Sequence, residues 1–134
     1  MTVQLQTRKF TVEQFHKMAE IGVILADERV ELIRGEIMQM EAIGVKHAGC
    51  VCYLTNILNQ KLGGCVLVNV QNPIEFGDTS QPQPDIALLR PRADFYQTSF
   101  PQGTDIFLLI EVADSSIKYD REVKIPLYRD KSVS

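Results

Sequence analysis

The stretch "PDIALLR", residues 84–90, has the pattern of a buried strand with one carboxylate, Asp85, at its edge. Pro84 suits the first position of a strand because proline has no N–H to contribute to a sheet. A second run, "DIFLLIEVA" at residues 105–113, also carries one acid, Glu111, near its end. This run is apolar for long enough that we expect it to be covered on both faces. The two runs together predict adjacent strands with an acid at the edge of each.

Hydrophobic spacing and turn signals assign the rest of the chain to short helices and strands. Thr11 and Gln14 form a capping-box pair at the start of a predicted helix, and Arg34-Gly35 is a turn signal inside a hairpin. The predicted elements are a helix at 11–20, a hairpin at 29–40, a helix at 46–62, strands at 65–76, 84–90 and 105–113, and a helix starting near Asp120. This order predicts an α/β fold of the α+β type, with a mixed central sheet flanked by helices.

Composition excludes several classes of protein. The 134 residues are enough for one domain with a real core, and the net charge of −3 gives no strongly basic footprint for nucleic acid. No apolar run approaches the ~18 residues of a membrane span, and the N-terminus lacks the apolar core of a signal peptide. Three cysteines without a CxxC pair argue against a disulfide framework and a zinc site, so we expect a cytoplasmic protein.

The charges of Asp85 and Glu111 need an explanation, because a carboxylate at the end of a buried strand costs free energy unless it is paired or binds a metal. A divalent cation between the two acids would remove their repulsion, and Mg²⁺ takes one or two carboxylates together with water and phosphate oxygens. The backbone carbonyl of Val112 could add a third oxygen. Such a metal supports hydrolysis of phosphate esters. On the residues alone, the alternative of ordinary solvated or ion-paired acids stays open.

Other charged residues are weaker candidates for a site. Lys124, on the predicted C-terminal helix, could orient a water molecule beside a metal, and Lys118 is its rival. Glu31 and Glu36 flank the hairpin turn, so either both face solvent or one of them points towards a site. His47 lies in the first turn of its helix, where a surface residue is the plain interpretation.

Five segments together resemble the bacterial Uma family, which consists of restriction-endonuclease-like proteins of the PD-(D/E)xK nuclease superfamily. In chain order they are "ERVELIRGEIMQM" (28–40), His47 at a helix start, "QPDIALLRP" (83–91), "LLIEVADSS" (108–116) and "YDREVKIPLY" (119–128). The resemblance covers nearly the whole chain, from about Phe10 onwards. It implies one nuclease-like domain over residues 1–134, with a restriction-endonuclease-like fold and its site at one sheet edge.

The resemblance also implies roles for individual residues. Asp85 and Glu111 match the two acids of the superfamily and would be both metal ligands and catalytic residues. The superfamily's lysine normally stands two residues after the second acid, which here is Ala113, so Lys124 would take that place. The family's remaining matches are Glu36 and His47, as further catalytic candidates, and Glu31 and Tyr128, for which a structural role is the alternative.

The implied activity is hydrolysis of phosphodiester bonds in DNA by an endonuclease that depends on Mg²⁺ or Mn²⁺. Cleavage of both strands would favour a homodimer with two-fold symmetry. The alternative is a catalytically inactive nuclease-like module that binds nucleic acid or protein. Pro126 favours this alternative because it would kink the helix that carries Lys124. The sequence also differs from the family at its end. It stops at "RDKSVS", where relatives continue with a further strand, which suggests truncation.

Overall fold

The computed structural model describes residues 3–113 together with Leu127 and Tyr128. Its elements are α1 (Val12–Glu20), β1 (Val30–Ile33), β2 (Glu36–Gln39), α2 (Val45–Leu62), β3 (Leu67–Val70), β4 (Ile86–Leu89), a short 3₁₀ helix (Gly103–Asp105) and β5 (Ile106–Ile110). The predicted order of elements up to β5 and the α+β class are therefore confirmed. The expectations for Lys118, Asp120, Lys124 and Pro126 fall outside the described residues.

The described strands form two antiparallel sheets. β1 and β2 make a hairpin, and β4 lies between β3 and β5 in a three-stranded sheet. Ile86 of β4 is opposite Val70 on one side and Ile110 on the other. Because antiparallel partners run in opposite directions, Asp85, one residue before Ile86, lies beside Glu111, one residue after Ile110. No helix in the described part of the chain is long and apolar enough to cross a membrane.

All four residues of β4 are buried, so this strand is the centre of the core. On one face, Ile86 and Leu88 pack with Val51 and the half-buried leucines of α2. On the other face, the side chains join a larger cluster made of Ile33, Ile74, Phe76, Ala87, Leu89, Ile106, Leu127 and Tyr128. Complete burial of each large aliphatic side chain contributes about 1.5–3 kcal/mol, so the two-sided burial of β4 is a main source of stability.

The structure corrects the expectation that the strand at 105–113 is covered on both faces. Phe107 and Leu108 of β5 are 45% and 49% exposed. Leu88 pairs with Leu108 and Leu89 pairs with Ile106, so Phe107 is an extra residue in a β-bulge. A bulge breaks the regular alternation of side chains between the two faces of a strand. A run of apolar residues in the sequence does not reveal it. The guanidinium of Arg90 stacks 4.7 Å from the centre of the exposed Phe107 ring.

The strand predicted at 65–76 is also shorter than expected. β3 ends at Val70, and Gln71 adopts a left-handed backbone with φ of 54°. The dipeptide Asn72-Pro73 that follows is a turn signal, so the end of the strand could have been predicted. Residues 74–82 then fold back on themselves, with the Phe76 N–H donating to the Ser80 carbonyl. This segment is joined to the hairpin because Gln81 and Leu32 exchange backbone hydrogen bonds of 2.7 and 3.4 Å.

The hairpin turn at Arg34-Gly35 is confirmed, and its backbone explains the choice of residues. Arg34 and Gly35 have φ of 49° and 83°, which is the pattern of a two-residue type I′ turn. Gly35 is buried, and a Cβ placed on it would lie 2.7 Å from the Cβ of Lys9. Both the positive φ and the close approach of another chain segment therefore require glycine at this position.

We predict that Gly35→Ala lowers the free energy of unfolding by about 1–3 kcal/mol, because the new methyl group adds backbone strain and a steric clash. Gly22→Ala is the matched control, since Gly22 also has positive φ but a methyl group added there would meet no atom within 4 Å. Urea denaturation of the two variants separates the two effects. An equal loss of stability in both would show that the contact with Lys9 is unimportant.

The connection between β4 and β5 is organised by Asp94. Its carboxylate forms an ion pair with Arg92 and accepts a hydrogen bond of 2.6 Å from the hydroxyl of Thr98. The Arg92 bond, and then the Thr98 bond, hold the pKa of Asp94 well below its ordinary value. A carboxyl with a depressed pKa in the folded state stabilises the fold above its unfolded pKa, and this contribution is lost as the pH falls.

We therefore predict that Asp94→Asn reduces thermal stability at neutral pH and flattens the decline in Tm below about pH 4, where the unfolded carboxyl becomes protonated. The measurement is Tm by circular dichroism between neutral and acidic pH for the wild type and the variant. Curves that stay parallel over the whole range would contradict the assignment. The effect should be small, because the side chain of Asp94 is about a third exposed.

Candidate active site

Asp85 stands at the entrance to the central strand. Pro84, immediately before it, is fully buried, and Ile86, immediately after it, begins β4. The side chain of Asp85 is 13% exposed, so its charge is largely removed from water. A carboxylate in this position needs hydrogen-bond donors close by.

Donors from two other elements meet the Asp85 carboxylate. His47, in the first turn of α2, shares a hydrogen bond of 2.8 Å between its Nε2 and Oδ1 of Asp85. The backbone N–H of Val112, just after β5, donates to Oδ2 at 2.7 Å. The side chain of His47 is 15% exposed, which is less than the surface interpretation implied. Both contacts are short, and together they tie α2 and the end of β5 to the start of β4.

Glu111 lies next to Asp85, as the positions of the two acids in the sequence indicated. Its Oε2 is 3.4 Å from the backbone nitrogen of Asp85. Its Oε1 accepts a hydrogen bond of 2.8 Å from the hydroxyl of Tyr128. The sheet therefore brings together two carboxylates that are 26 residues apart in the chain. Whether the carbonyl of Val112 serves as a third ligand stays a prediction.

Tyr128 combines the two roles that the sequence left as alternatives. Its ring is 8% exposed and packs against Phe76, with 5.4 Å between ring centres. Its hydroxyl reaches Glu111 at the same time. A buried tyrosine usually places its hydroxyl on a polar partner, and here the partner is a candidate site residue. Tyr128 is thus a packing residue that also orients Glu111.

The structure distinguishes the two acids of the hairpin. Glu31 is buried, with 1% exposure, and lies on the same face of β1 as Ile33, which belongs to the core cluster around Tyr128. The interpretation that both acids face solvent is therefore wrong for Glu31. Glu36 is half exposed and its carboxylate forms an ion pair with Lys9, so its catalytic role stays a prediction.

Gln71 is a site neighbour that the sequence analysis missed. Its backbone N–H donates to the carbonyl of Asp85 at 3.0 Å, and its side-chain nitrogen lies 3.5 Å from Oδ1 of the same residue. The signal that could have indicated it is indirect: the turn at Asn72-Pro73 places the preceding residue at a strand end, beside the start of the next strand.

The donor set at this position fits a hard divalent cation. Asp85 and Glu111 offer carboxylate oxygens, which Mg²⁺ prefers, and one or two carboxylates with water are its usual protein ligands. An ionised carboxylate has about four acceptor sites, so the bonds of Asp85 to His47 and Val112 leave room for a further contact. The described residues contain no group of three or more His, Cys, Asp or Glu side chains arranged to hold a metal. Any such ion would therefore rely on water, backbone or substrate oxygens in addition to the two acids.

Comparison with known proteins gives one result that covers most of the chain. The model of the family Uma2, described as "Putative restriction endonuclease", matches residues 12–134. A search of curated proteins finds no match. The match includes α1, the hairpin, α2, and both strands that lead to Asp85 and Glu111. Because the match extends over far more than half of its length, the chain belongs to the Uma2 family.

Proposed function

We propose that this member of the Uma2 family is an endonuclease that hydrolyses phosphodiester bonds in DNA with Mg²⁺ or Mn²⁺. The family supports a nuclease-like role with DNA as the substrate. The observation that carries the finer proposal is the meeting of Asp85 and Glu111 at adjacent strand ends, with Glu111 Oε2 at 3.4 Å from the Asp85 nitrogen. Two carboxylates at one edge of a sheet suit a metal-binding site better than a solvated surface.

The chain's own residues would hold and orient the reacting groups. Asp85 and Glu111 would bind the cation, which when bound polarises the phosphate and lowers the pKa of a water molecule. His47 and Val112 hold the Asp85 carboxylate by one oxygen each, which limits its rotation. Tyr128 does the same for one oxygen of Glu111. A carboxylate that is already oriented loses less freedom when it takes up an ion.

Lys124 is proposed as the residue that orients the attacking water and offsets charge on the scissile phosphate. In most of the superfamily the lysine stands two residues after the second acid, and Ala113 occupies that position here. The Uma family resembles a variant in which the lysine lies further along the chain, and Lys124 lies in that following segment. Lys118 is the second candidate. A homodimer would let two such sites act on opposite strands of a duplex, and we propose that arrangement for cleavage of both strands.

A second candidate function is that of a nuclease-like module that binds nucleic acid or protein without cleaving it. The observation that favours it is the hydrogen bonding of Asp85, because both carboxylate oxygens already accept strong bonds from His47 and Val112. Such a carboxylate is stable in the fold without a cation. The two functions differ in whether a divalent ion binds at Asp85 and Glu111.

We predict that Asp85→Asn weakens Mn²⁺ binding by at least about 100-fold, because the substitution removes a ligand charge while it keeps the side-chain shape. Isothermal titration calorimetry of Mn²⁺ into the wild type and the variant measures this directly. Circular dichroism of the variant checks that it is folded. Absence of Mn²⁺ binding by the wild-type protein would favour the non-catalytic module.

We predict that Glu111→Gln lowers the rate at which supercoiled plasmid is nicked in Mg²⁺ or Mn²⁺ by at least about 100-fold. Glu20→Gln is the matched control, because Glu20 is an exposed residue of α1 that pairs with Lys17 and is not a candidate site residue. We expect this control to nick like the wild type. Equal nicking by wild type and Glu111→Gln would mean that the activity comes from another site or from a contaminant.

A further inference from the structure

Gln71 holds an unfavourable backbone conformation at the edge of the candidate site. Its φ of 54° lies in the left-handed region, which residues with a side-chain Cβ adopt at a cost. Gln71 is neither glycine nor asparagine, the residues that occupy this region most readily. Backbone strain of this kind tends to occur where a residue positions a functional group, so its neighbours indicate what it does.

The neighbours of Gln71 are the backbone and side chain of Asp85. Val70 is opposite Ile86 and Ile86 is opposite Ile110, so Gln71, Asp85 and Glu111 form one row across the sheet. In this row the Gln71 N–H donates to the Asp85 carbonyl at 3.0 Å. The amide nitrogen of the Gln71 side chain lies 3.5 Å from Oδ1, the oxygen that also contacts His47. One residue therefore contacts Asp85 at its backbone and at its carboxylate.

Gln71 also lies at a solvent-accessible groove. It lines a groove of about 560 Å³ between α2 and the end of β3, together with Val51, Thr55, Asn56 and Val70. Because of this position, a smaller side chain at 71 leaves no sealed cavity, and a charged one is not forced into the core. Substitutions here can therefore change the surroundings of Asp85 without a large effect on packing.

We propose that Gln71 is a positioning residue for the metal-binding carboxylate of Asp85. The left-handed turn sets the Asp85 backbone through the N–H bond, and the side-chain amide, together with His47, occupies Oδ1, which leaves an acceptor site of Oδ2 for the bound ion. His47 and Val112 hold the same carboxylate from the other elements, and Gln71 adds the contact from β3. This inference rests on the proposed function, since it assigns Gln71 to the same metal site.

Two substitutions that remove the side-chain amide test the proposal. Gln71→Gly keeps the backbone N–H and removes the strain together with the amide, so we expect Mn²⁺ to bind about tenfold more weakly while Tm is not reduced. Gln71→Met keeps the length of the side chain and the backbone N–H but removes the donating amide, so we again expect Mn²⁺ to bind about tenfold more weakly. Asn72→Gly is the matched control, since the side-chain amide of Asn72 donates to the side chain of Asn69 and not to Asp85.

Calorimetry with Mn²⁺ and thermal unfolding of the metal-free protein provide the two readouts. Weaker Mn²⁺ binding by both Gln71 variants, with Asn72→Gly equal to wild type, would support the proposal. Unchanged affinity in both Gln71 variants, with a wild type that binds Mn²⁺, would overturn this inference and leave the proposed function intact. A Tm of Gln71→Gly that falls together with its affinity would also overturn it, because the role would then be structural. A wild type that binds no Mn²⁺ would overturn both.

Discussion

The burial of β4 on both of its faces is the constraint on which the site depends. All four residues of the strand are buried, with α2 against one face and the larger core cluster against the other. No charge can lie within such a strand at an acceptable free energy, so the first carboxylate stands just before it, at Asp85. Glu111 follows the last residue of β5, Ile110, which is opposite the first residue of β4. The edge of the core thus determines where the two acids meet.

The hydrogen bonds around Asp85 convert this edge into an organised cluster. His47 comes from α2, Val112 follows β5, and Gln71 follows β3, so three elements that pack against β4 each bring a donor to Asp85. These donors compensate for the loss of water around a carboxylate that is 13% exposed. They also limit its rotation. The same contacts therefore stabilise the folded state and orient a candidate metal ligand. The hydroxyl of Tyr128 likewise orients Glu111.

Local patterns predicted most of the fold correctly, and the errors have physical causes. The capping box at Thr11, the hairpin turn at Arg34-Gly35 and the helix at 46–62 depend on residues close together in the chain, so their signals are present in short windows. The exposure of Phe107 comes from a bulge against β4, which depends on how two distant strands pair. The candidate site was predicted in part: its two acids were found, but their donors were incompletely identified.

The sequence by itself determined the order and type of the elements, the placement of one acid at each of two strand edges, and the membership of the Uma2 family. Only the tertiary structure decided which groups surround those acids. His47 is 38 residues from Asp85 in the chain, and Gln71 is 14 residues away. Contacts at such separations depend on strand register and helix docking, which are settled by packing of the whole core and not by any local run of residues.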